Sequence, residues 1–301
     1  MIIIVKVDKQ KERRIIMKKI ATFLSFVLLS TSLVGCAEKE EATKPEAASE
    51  TASETVDLQN EVDTYKEFAI EQMDQFVIET EKFVEAVKAG DIEEAKALYP
   101  LARMYFERSE PIAESFGDLD PRIDARLADL EEEGKGKEDW TGYHKIEYGL
   151  WVENTTEGYA ETADQLLADA KELRARVETV EVTPDLMMTG AVDLLNEVST
   201  SKITGEEEIF SHTDLYDFKA NIEGAEEIFH ILESKIEAKD EKLATNLQAK
   251  FDAVNELLAN YETGDNGFVS YEELTSEDTK LLSDAVNQLG EPLSQMGIIM
   301  E

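Results

Sequence analysis

The stretch "EVDTYKEFAIEQMDQFVIETEKFVEAVKAG", Glu61 to Gly90, decides the fold class. Val62, Tyr65, Phe68, Ala69, Met73, Phe76, Val77, Phe83, Val84 and Val87 recur at three- and four-residue spacings. That period lines apolar side chains along one stripe of an α-helix. Gly90 ends the helix, and Asp91 opens the next as an N-cap, with Glu94 at the capping-box position. The second helix is expected to run to about Phe116, with Pro100 kinking or breaking it. "GDLDP", Gly117 to Pro121, reads as a turn, and Pro121 suits the first position of a third helix that ends before "GKGKED", Gly134 to Asp139. A helix through "TGYHKIEYGLWVEN", Thr141 to Asn154, follows, and another covers "YAETADQLLADAKELRARVET", Tyr159 to Thr179. The chain breaks near Val180 to Thr183, and further helical stretches span about 184–201, 214–236, 239–261 and 276–298. Period-two alternation is rare. The expectation is an all-α chain of two antiparallel helix bundles, divided near residue 180.

The first residues read differently. Lys6, Lys9, Lys11, Arg13, Arg14, Lys18 and Lys19 precede an apolar run from Ile20 to Val34 that is short and interrupted by Ser and Thr. A basic flank before a short apolar core is the pattern of a secretory signal, here residues 1–35, and not of a membrane span. Met17 opens "MKKIATFLSF", a sufficient signal by itself, so the start is either Met1 or Met17, with residues 1–16 then an upstream artefact. The run ends in "LVGC", Leu33 to Cys36. Small residues before a cysteine resemble the lipobox of bacterial lipoproteins, which implies that Cys36 is lipidated and becomes the first mature residue. Cys36 is the only cysteine, so no intramolecular disulfide can form. Residues 36–57 are rich in Ala, Glu, Ser and Thr, lack aromatics and cannot bury enough apolar area to fold. They read as an acidic tether ahead of a helical domain at 58–301.

The chain carries 67 acidic and 30 basic residues, a net charge of -37. Residues 1–36 hold seven of those basic and two of those acidic residues, so removing them takes the net charge near -42. This argues against nucleic acid as a partner, since its backbone demands Lys and Arg. It suits a solvated exported protein, including one that handles cations.

Against that acidity the chain has three histidines. His144 lies in "GYHKIEYGLW", Gly142 to Trp151, with Glu147 one helical turn later and Tyr143, Tyr148 and Trp151 around the pair. Positions i and i+3 share a helix face, so imidazole and carboxylate can meet one ion, or simply form a surface or capping pair. "YFERSEP" gives Glu107 and Glu110 the same spacing among apolar neighbours, and a buried carboxylate pair needs a cation or protons. "GEEEIFSHTDLYDF" holds Glu206, Glu207, Glu208, His212, Asp214 and Asp217. It reads either as a second cation site or, preferably, as a loop whose Thr213 or Asp214 caps the next helix. "ETGDNGFVSYEE", Glu262 to Glu273, can be laid over a calcium loop with Gly267 and Glu273 in place. Its first ligand would be Glu and Gly264 removes the third, so it reads as a structural loop. His230 lies within a helix and reads as a packed or paired histidine. H-E-x-x-H, G-x-S-x-G and P-loop patterns are missing from the sequence, and a lipidated Cys36 leaves no thiol nucleophile, so no enzyme activity is expected.

Three segments in this order, "LARMYFERSEPIAESFGDLDPRID", "GYHKIEYGLW" and "GEEEIFSHTDLYDFKANIEGA", resemble the imelysin-like domain of the EfeO and EfeM iron-uptake proteins. The resemblance covers nearly all of residues 58–301. It implies an all-helical fold of two four-helix bundles and a metal site at the H-x-x-E motif. His144 and Glu147 are then implied as ligands of an iron ion, with Glu107 and Glu110 as companions and Asp139 as a weaker carry-over. No cupredoxin domain precedes the helices, which matches the shorter EfeM type or the lipoprotein form of Gram-positive bacteria and leaves no copper site. The implied partners are a membrane iron permease and a haem peroxidase, with the protein held by its lipid anchor on the extracytoplasmic face of the cell membrane. The imelysin name comes from a group once classed as metallopeptidases, so a zinc enzyme is the rival, and a metal-free surface interaction module is a third possibility. One imidazole among several carboxylates suits iron better than activating water on zinc. Since the imidazole must be neutral to bind, affinity is expected to weaken as pH falls toward the ordinary histidine pKa of about 6.5.

Overall fold

The computed structural model describes residues 57–264 and 267–300. The signal, Cys36 and most of the tether lie outside the described residues. Among those described, the chain forms ten α-helices and one short hairpin.

The opening stripe becomes α1, Gln59–Ala89, with Tyr65, Ala69, Met73, Phe76, Phe83, Val84 and Val87 buried. Each fully buried large apolar side chain of that stripe contributes about 1.5–3 kcal/mol. Gly90 takes a left-handed φ of 78° and the amides of Gly90 and Asp91 reach back to the Val87 and Ala86 carbonyls, closing the helix. Asp91 accepts the Glu94 amide at 3.1 Å and starts α2, Ile92–Glu107.

Here the chain departs from expectation. Pro100 does not end α2. The helix passes through it because Tyr99, Ala102 and Phe106 on the same turns are fully buried against neighbouring helices. The break comes later, at Arg108 and Ser109, before the short α3, Glu110–Ala113, and a 3₁₀ turn at Glu114–Phe116. Its cause is Pro111, which has no N–H to offer the Glu107 carbonyl one turn earlier. That carbonyl accepts the Asn221 side-chain amide instead, at 3.0 Å.

The third expected helix is two: α4, Asp120–Asp124, and α5, Leu127–Glu132, separated by an extended Ala125. The Trp140 indole donates to the Ala125 carbonyl at 2.7 Å, which satisfies the group freed by the break. The His144 helix, α6, Gly142–Tyr148, widens into a π-helical turn at Gly149–Glu153 and stops at a left-handed Asn154. Then come α7, Ala160–Val177, and α8, Pro184–Thr200, whose Leu186 amide is capped by the Thr183 hydroxyl at 3.1 Å. The two expected helices after residue 214 are halves of one long element, α9, Asp214–Leu258, bent at a non-helical Asp240. Asp240 caps the amides of Lys242 and Leu243 there. The last helix is α10, Ser276–Met300. Between α9 and α10, β1, Glu262–Thr263, pairs antiparallel with β2, Gly267–Phe268, and the Phe268 amide donates to the Tyr216 hydroxyl at 3.1 Å.

α1 packs on α2 and α7, while α8, α9 and α10 pack on one another. The helices thus group on either side of the break near residue 180. The N-terminal part of α9 joins the groups by lying along α2, where Gly224 sits so close to the Arg108 carbonyl that a Cβ would collide with it. Buried side chains of both groups form one continuous core. Half of the buried polar residues, Arg103, Glu107, His144, Glu147, Asp214, Asp217 and Asn221, lie on α2, α6 and the start of α9.

Candidate metal centre

His144 is 1% exposed and Glu147 fully buried, so the surface-pair reading of the motif does not hold. Their position starts with Gly142. Its φ of 81° is left-handed, and a Cβ there would overlap the carbonyl of Ile123. Only glycine allows α6 to begin against the end of α4, and that contact sets Asp124 beside His144. Thr80 of α1 and the Tyr143 hydroxyl hydrogen-bond at 2.7 Å, which pins α6 from the other side. Tyr143 stacks on Phe83 and meets the edge of Tyr99, so aromatic rings close the inner wall.

The two ring nitrogens of His144 face different groups. Nδ1 lies 3.0 Å from Glu147 Oε2 and 3.3 Å from the Tyr99 hydroxyl. Nε2 is buried with no hydrogen-bond partner, 3.7 Å from Asp124 Oδ1. Two sets of side chains can each bring three ligand atoms within 4.8 Å of one another: Asp124, His144 and Glu207, and His144, Glu147 and Glu208. Glu147 Oε1 accepts the amides of Phe210 and Ser211 at 3.0 and 2.7 Å. Glu208 accepts from the Tyr99 hydroxyl at 3.2 Å and from the Ser211 hydroxyl at 2.8 Å. A cavity of about 470 Å³, lined in part by Arg126, Asp129, Trp140, His144, Glu147 and Glu207, adjoins the cluster.

Arg103 of α2 is the hub of the acidic groups. Fully buried, it pairs with Glu208 at 2.6 Å, Glu107 at 2.7 Å, Asp217 at 3.4 Å and, closely, Asp124. Burial and Arg103 pull the His144 pKa down, but the Glu147 hydrogen bond and the Glu208 and Asp124 charges outweigh them and raise it to about 9. Burial would raise Glu147, yet its hydrogen bond and charge pairing with His144 hold it below the usual carboxylate range. Burial, Glu147 and Glu208 push the Tyr99 hydroxyl well above its ordinary value, so it stays a donor.

The structure does not bring Glu107 and Glu110 to His144. Arg103 stands between, and Glu107 spends its other oxygen on the buried Lys202. Glu110 accepts from Asn221 at 3.0 Å and lies 3.6 Å from Lys202. The cation this buried pair requires is therefore supplied internally, by a lysine the sequence does not advertise. Asp139 is exposed and accepts the Gly136 amide at 3.3 Å. It closes a turn and does not join the described cluster.

The capping reading of the 206–217 segment is also corrected. Thr213 makes no side-chain cap, its hydroxyl pairing with Ser211, and Asp214 accepts the Glu208 amide at 3.1 Å. The segment folds back on itself and carries Glu207 and Glu208 into the site. His212 points elsewhere, 3.7 Å from Glu272, and His230 sits on α9 between Glu226 and Glu233. Sequence reasoning missed Asp124, Glu207, Glu208 and Arg103 as members of one cluster. All four lie within the quoted 101–124 and 205–225 segments. The signal available was the convergence of those segments, and no local spacing carries it.

A family model described as "Peptidase_M75: Imelysin" matches residues 61–296. The chain belongs to the imelysin family. Among proteins similar to this imelysin chain is one named "Efem/EfeO family lipoprotein" from Staphylococcus haemolyticus strain JCSC1435. It is 53% identical over 289 residues, covering 95% of this chain and all of the relative. Proteins of the same name from Staphylococcus aureus strains MSSA476 and NCTC 8325 are each 54% identical over 246 residues, covering 81% of this chain and 86% of theirs. Helix dominates this imelysin chain, and none of its described helices is long and apolar enough to cross a membrane.

Proposed function

We propose that this protein is the lipid-anchored, extracytoplasmic iron-binding component of an Efe-type uptake system. It captures iron at the His144 centre and passes it to a membrane permease that works beside a haem peroxidase. The observation that carries the reading is the buried His144 imidazole, with one unpartnered nitrogen, set among carboxylates at the wall of a cavity. One imidazole among several carboxylates is a hard donor set of the kind iron favours over softer ions. The relatives' names support the lipoprotein part, and "LVGC" supplies the residue to be anchored, Cys36. The peptidase label of the family model keeps a zinc hydrolase as the rival. That chemistry needs a bound water and a free general base, and here the buried carboxylates Glu147 and Glu208 are held by hydrogen bonds and Arg103.

Titration of the full chain with Fe(II), Fe(III), Zn(II) and Cu(II), anaerobically and in air, tests the reading. Iron should bind to wild type and fail to bind to His144→Ala, while His230→Ala behaves as wild type. Equal iron binding by wild type and His144→Ala refutes it, and turnover of a peptide substrate with zinc would favour the rival. Cys36→Ala should leave the protein unprocessed or shed. Fractionation of that variant with membranes like wild type would refute the anchor.

A further inference from the structure

We infer that Tyr271 is a positioning residue: from outside the cavity beside His144 it pins both ends of the 205–212 segment and so fixes the wall that this segment forms. The clamp stands on geometry alone, and its functional consequence rests on the metal-binding reading above. It gives the Glu262–Glu273 loop, which does not read as an ion site, a use.

Four residues that line the cavity, Glu206, Glu207, Ile209 and Phe210, come from this one stretch. It consists of turns, with no helix or strand of its own, so its shape depends on what grips it. Both ends are left-handed, Gly205 with φ of 72° and His212 with φ of 57°. That conformation is unfavourable for a residue with a Cβ, so His212 keeps it only while its surroundings hold it. Tyr271 supplies the hold at both ends. Its ring lies against Gly205, where a Cβ would stand 2.8 Å from Cδ1. Its hydroxyl donates to the Ile203 carbonyl at 2.6 Å, just before the segment. Its amide donates to the His212 carbonyl at 2.9 Å, at the far end. Burial and the Asp214 charge raise the Tyr271 pKa, so the hydroxyl stays a donor. Tyr271 does not line the cavity, so a change there acts only through the segment.

Tyr271 is itself fixed from elsewhere. It opens a 3₁₀ turn at Tyr271–Glu273. Just ahead of it, the Phe268 amide donates to the Tyr216 hydroxyl, and the two rings meet edge-on at 5.1 Å. The Val269 amide donates to the Tyr261 carbonyl at 3.0 Å. The loop is therefore tied to the first turn of α9 through Tyr216 and to the chain just past the end of α9 through Tyr261. On its inner side the segment is held at its middle, by Glu147 on the Phe210 and Ser211 amides and by Arg103 on Glu208. Those bonds form only when the segment is in place, and without a pin at its ends water competes for them.

Amide hydrogen exchange of the full chain without added metal, resolved by mass spectrometry, tests the clamp. Tyr271→Ala should speed exchange across residues 206–212 at least about tenfold while α1 keeps its wild-type rates. Tyr271→Phe keeps the ring on Gly205 and the amide bond to His212 and loses only the hydroxyl contact, so its speed-up should be about two- to tenfold. Tyr261→Phe, which loses a hydroxyl bond to Asp278 at 3.0 Å, should leave residues 206–212 unchanged. Wild-type exchange of 206–212 in Tyr271→Ala, or a speed-up no greater than that of α1, overturns the inference. Gly205→Ala drives a methyl into the Tyr271 ring from the other side and should give the same local speed-up. It is read in place of Tyr271→Ala if that variant does not fold, and exchange at wild-type rates there overturns the inference equally. Titration with Fe(II) is the second arm. Tyr271→Ala should lower affinity about tenfold or more, and Tyr271→Phe by less, with helix content unchanged. Faster local exchange with unchanged Fe(II) affinity overturns the functional consequence. A wild type that binds no Fe(II) refutes the metal-binding reading, while the exchange rates still decide the clamp.

Discussion

Arg103 is the residue on which the centre turns. Its guanidinium is buried among Glu107, Asp124, Glu208 and Asp217, and it fixes which carboxylates belong to the histidine and which to Lys202. Arg103→Ala should destabilise the metal-free protein by about 3–5 kcal/mol, because it strands several buried carboxylates. Arg103→Lys should recover little of this, since an ammonium cannot fork to several partners at once. Urea unfolding measures both. Wild-type stability in Arg103→Ala would mean the carboxylates are protonated and the arginine is incidental. His144 carries a second expectation. Its pKa of about 9 means that a proton competes with metal well above the ordinary histidine range. Metal uptake at pH 7.5 should therefore release close to one proton per ion, and affinity should already be falling between pH 9 and pH 7. Calorimetry in buffers of different ionisation heat tests this, and no proton release would contradict it. The residue types His144 and Glu147 were legible from the sequence. Their companions were not, because Arg103, Asp124 and Glu208 sit far apart in sequence and only packing brings them together.

Elements were legible where period alone decides them. The stripe of α1, the Gly90 and Asp91 junction and the break before Pro184 follow from local chemistry. The breaks that shape the site do not. Pro100 looks like an interruption and is not one, because its turns are buried on their neighbours. Pro111 looks like part of a continuing helix and ends it, because Asn221 from α9 stands ready to satisfy the freed Glu107 carbonyl. The bend at Ala125 likewise depends on Trp140. Each break is stabilised by a partner distant in sequence, which a local pattern cannot show. The junction of α4 with α6 is the most exacting. Gly142→Ala must both hold a left-handed φ and push the Ile123 carbonyl away, so it should cost roughly 1–3 kcal/mol and separate Asp124 from His144. Gly158→Ala, at a similar left-handed φ but with nothing near its added methyl, is the control. Thermal melts and zinc titration should show both variants less stable and only Gly142→Ala impaired in metal binding. Equal metal affinity in the two would show that the contact between α4 and α6 does not set the site.

At the scale of the molecule, acidity and burial act together on stability. Burial, with the Asp124 and Glu114 charges adding to it, raises Asp120 from 3.8 to about 7. Burial and Glu208 raise Asp214 from 3.8 to about 7 despite its hydrogen bond from the Glu208 amide. A carboxyl raised in this way binds its proton more tightly folded than unfolded. Between pH 3.8 and pH 7 the folded state therefore holds more protons, and stability falls as pH rises. For the fully buried Asp214 the whole effect is at most about 4 kcal/mol, at 1.36 kcal/mol per pKa unit. His144 acts in the same direction at higher pH: its folded pKa of about 9 means that its contribution, present below about 6.5, is lost as pH climbs through 9. The net charge of -37 adds self-repulsion that grows as carboxyls ionise. Opposing these, Glu147 and Asp129 are held below their ordinary values, so their stabilisation is lost only as pH falls below about 4.5. The metal-free protein should therefore be most stable near pH 5, and its melting temperature should be higher at pH 5.5 than at pH 8.5. Asp214→Asn, which keeps an oxygen to accept the Glu208 amide, should flatten the slope between pH 5 and pH 7 and leave the part due to His144. Melts in chelator at constant ionic strength measure both. A stability maximum at or above pH 8, or an unchanged slope in Asp214→Asn, would show that these buried carboxyls are ionised in the folded protein and neutralised by the arginines and Lys202 around them.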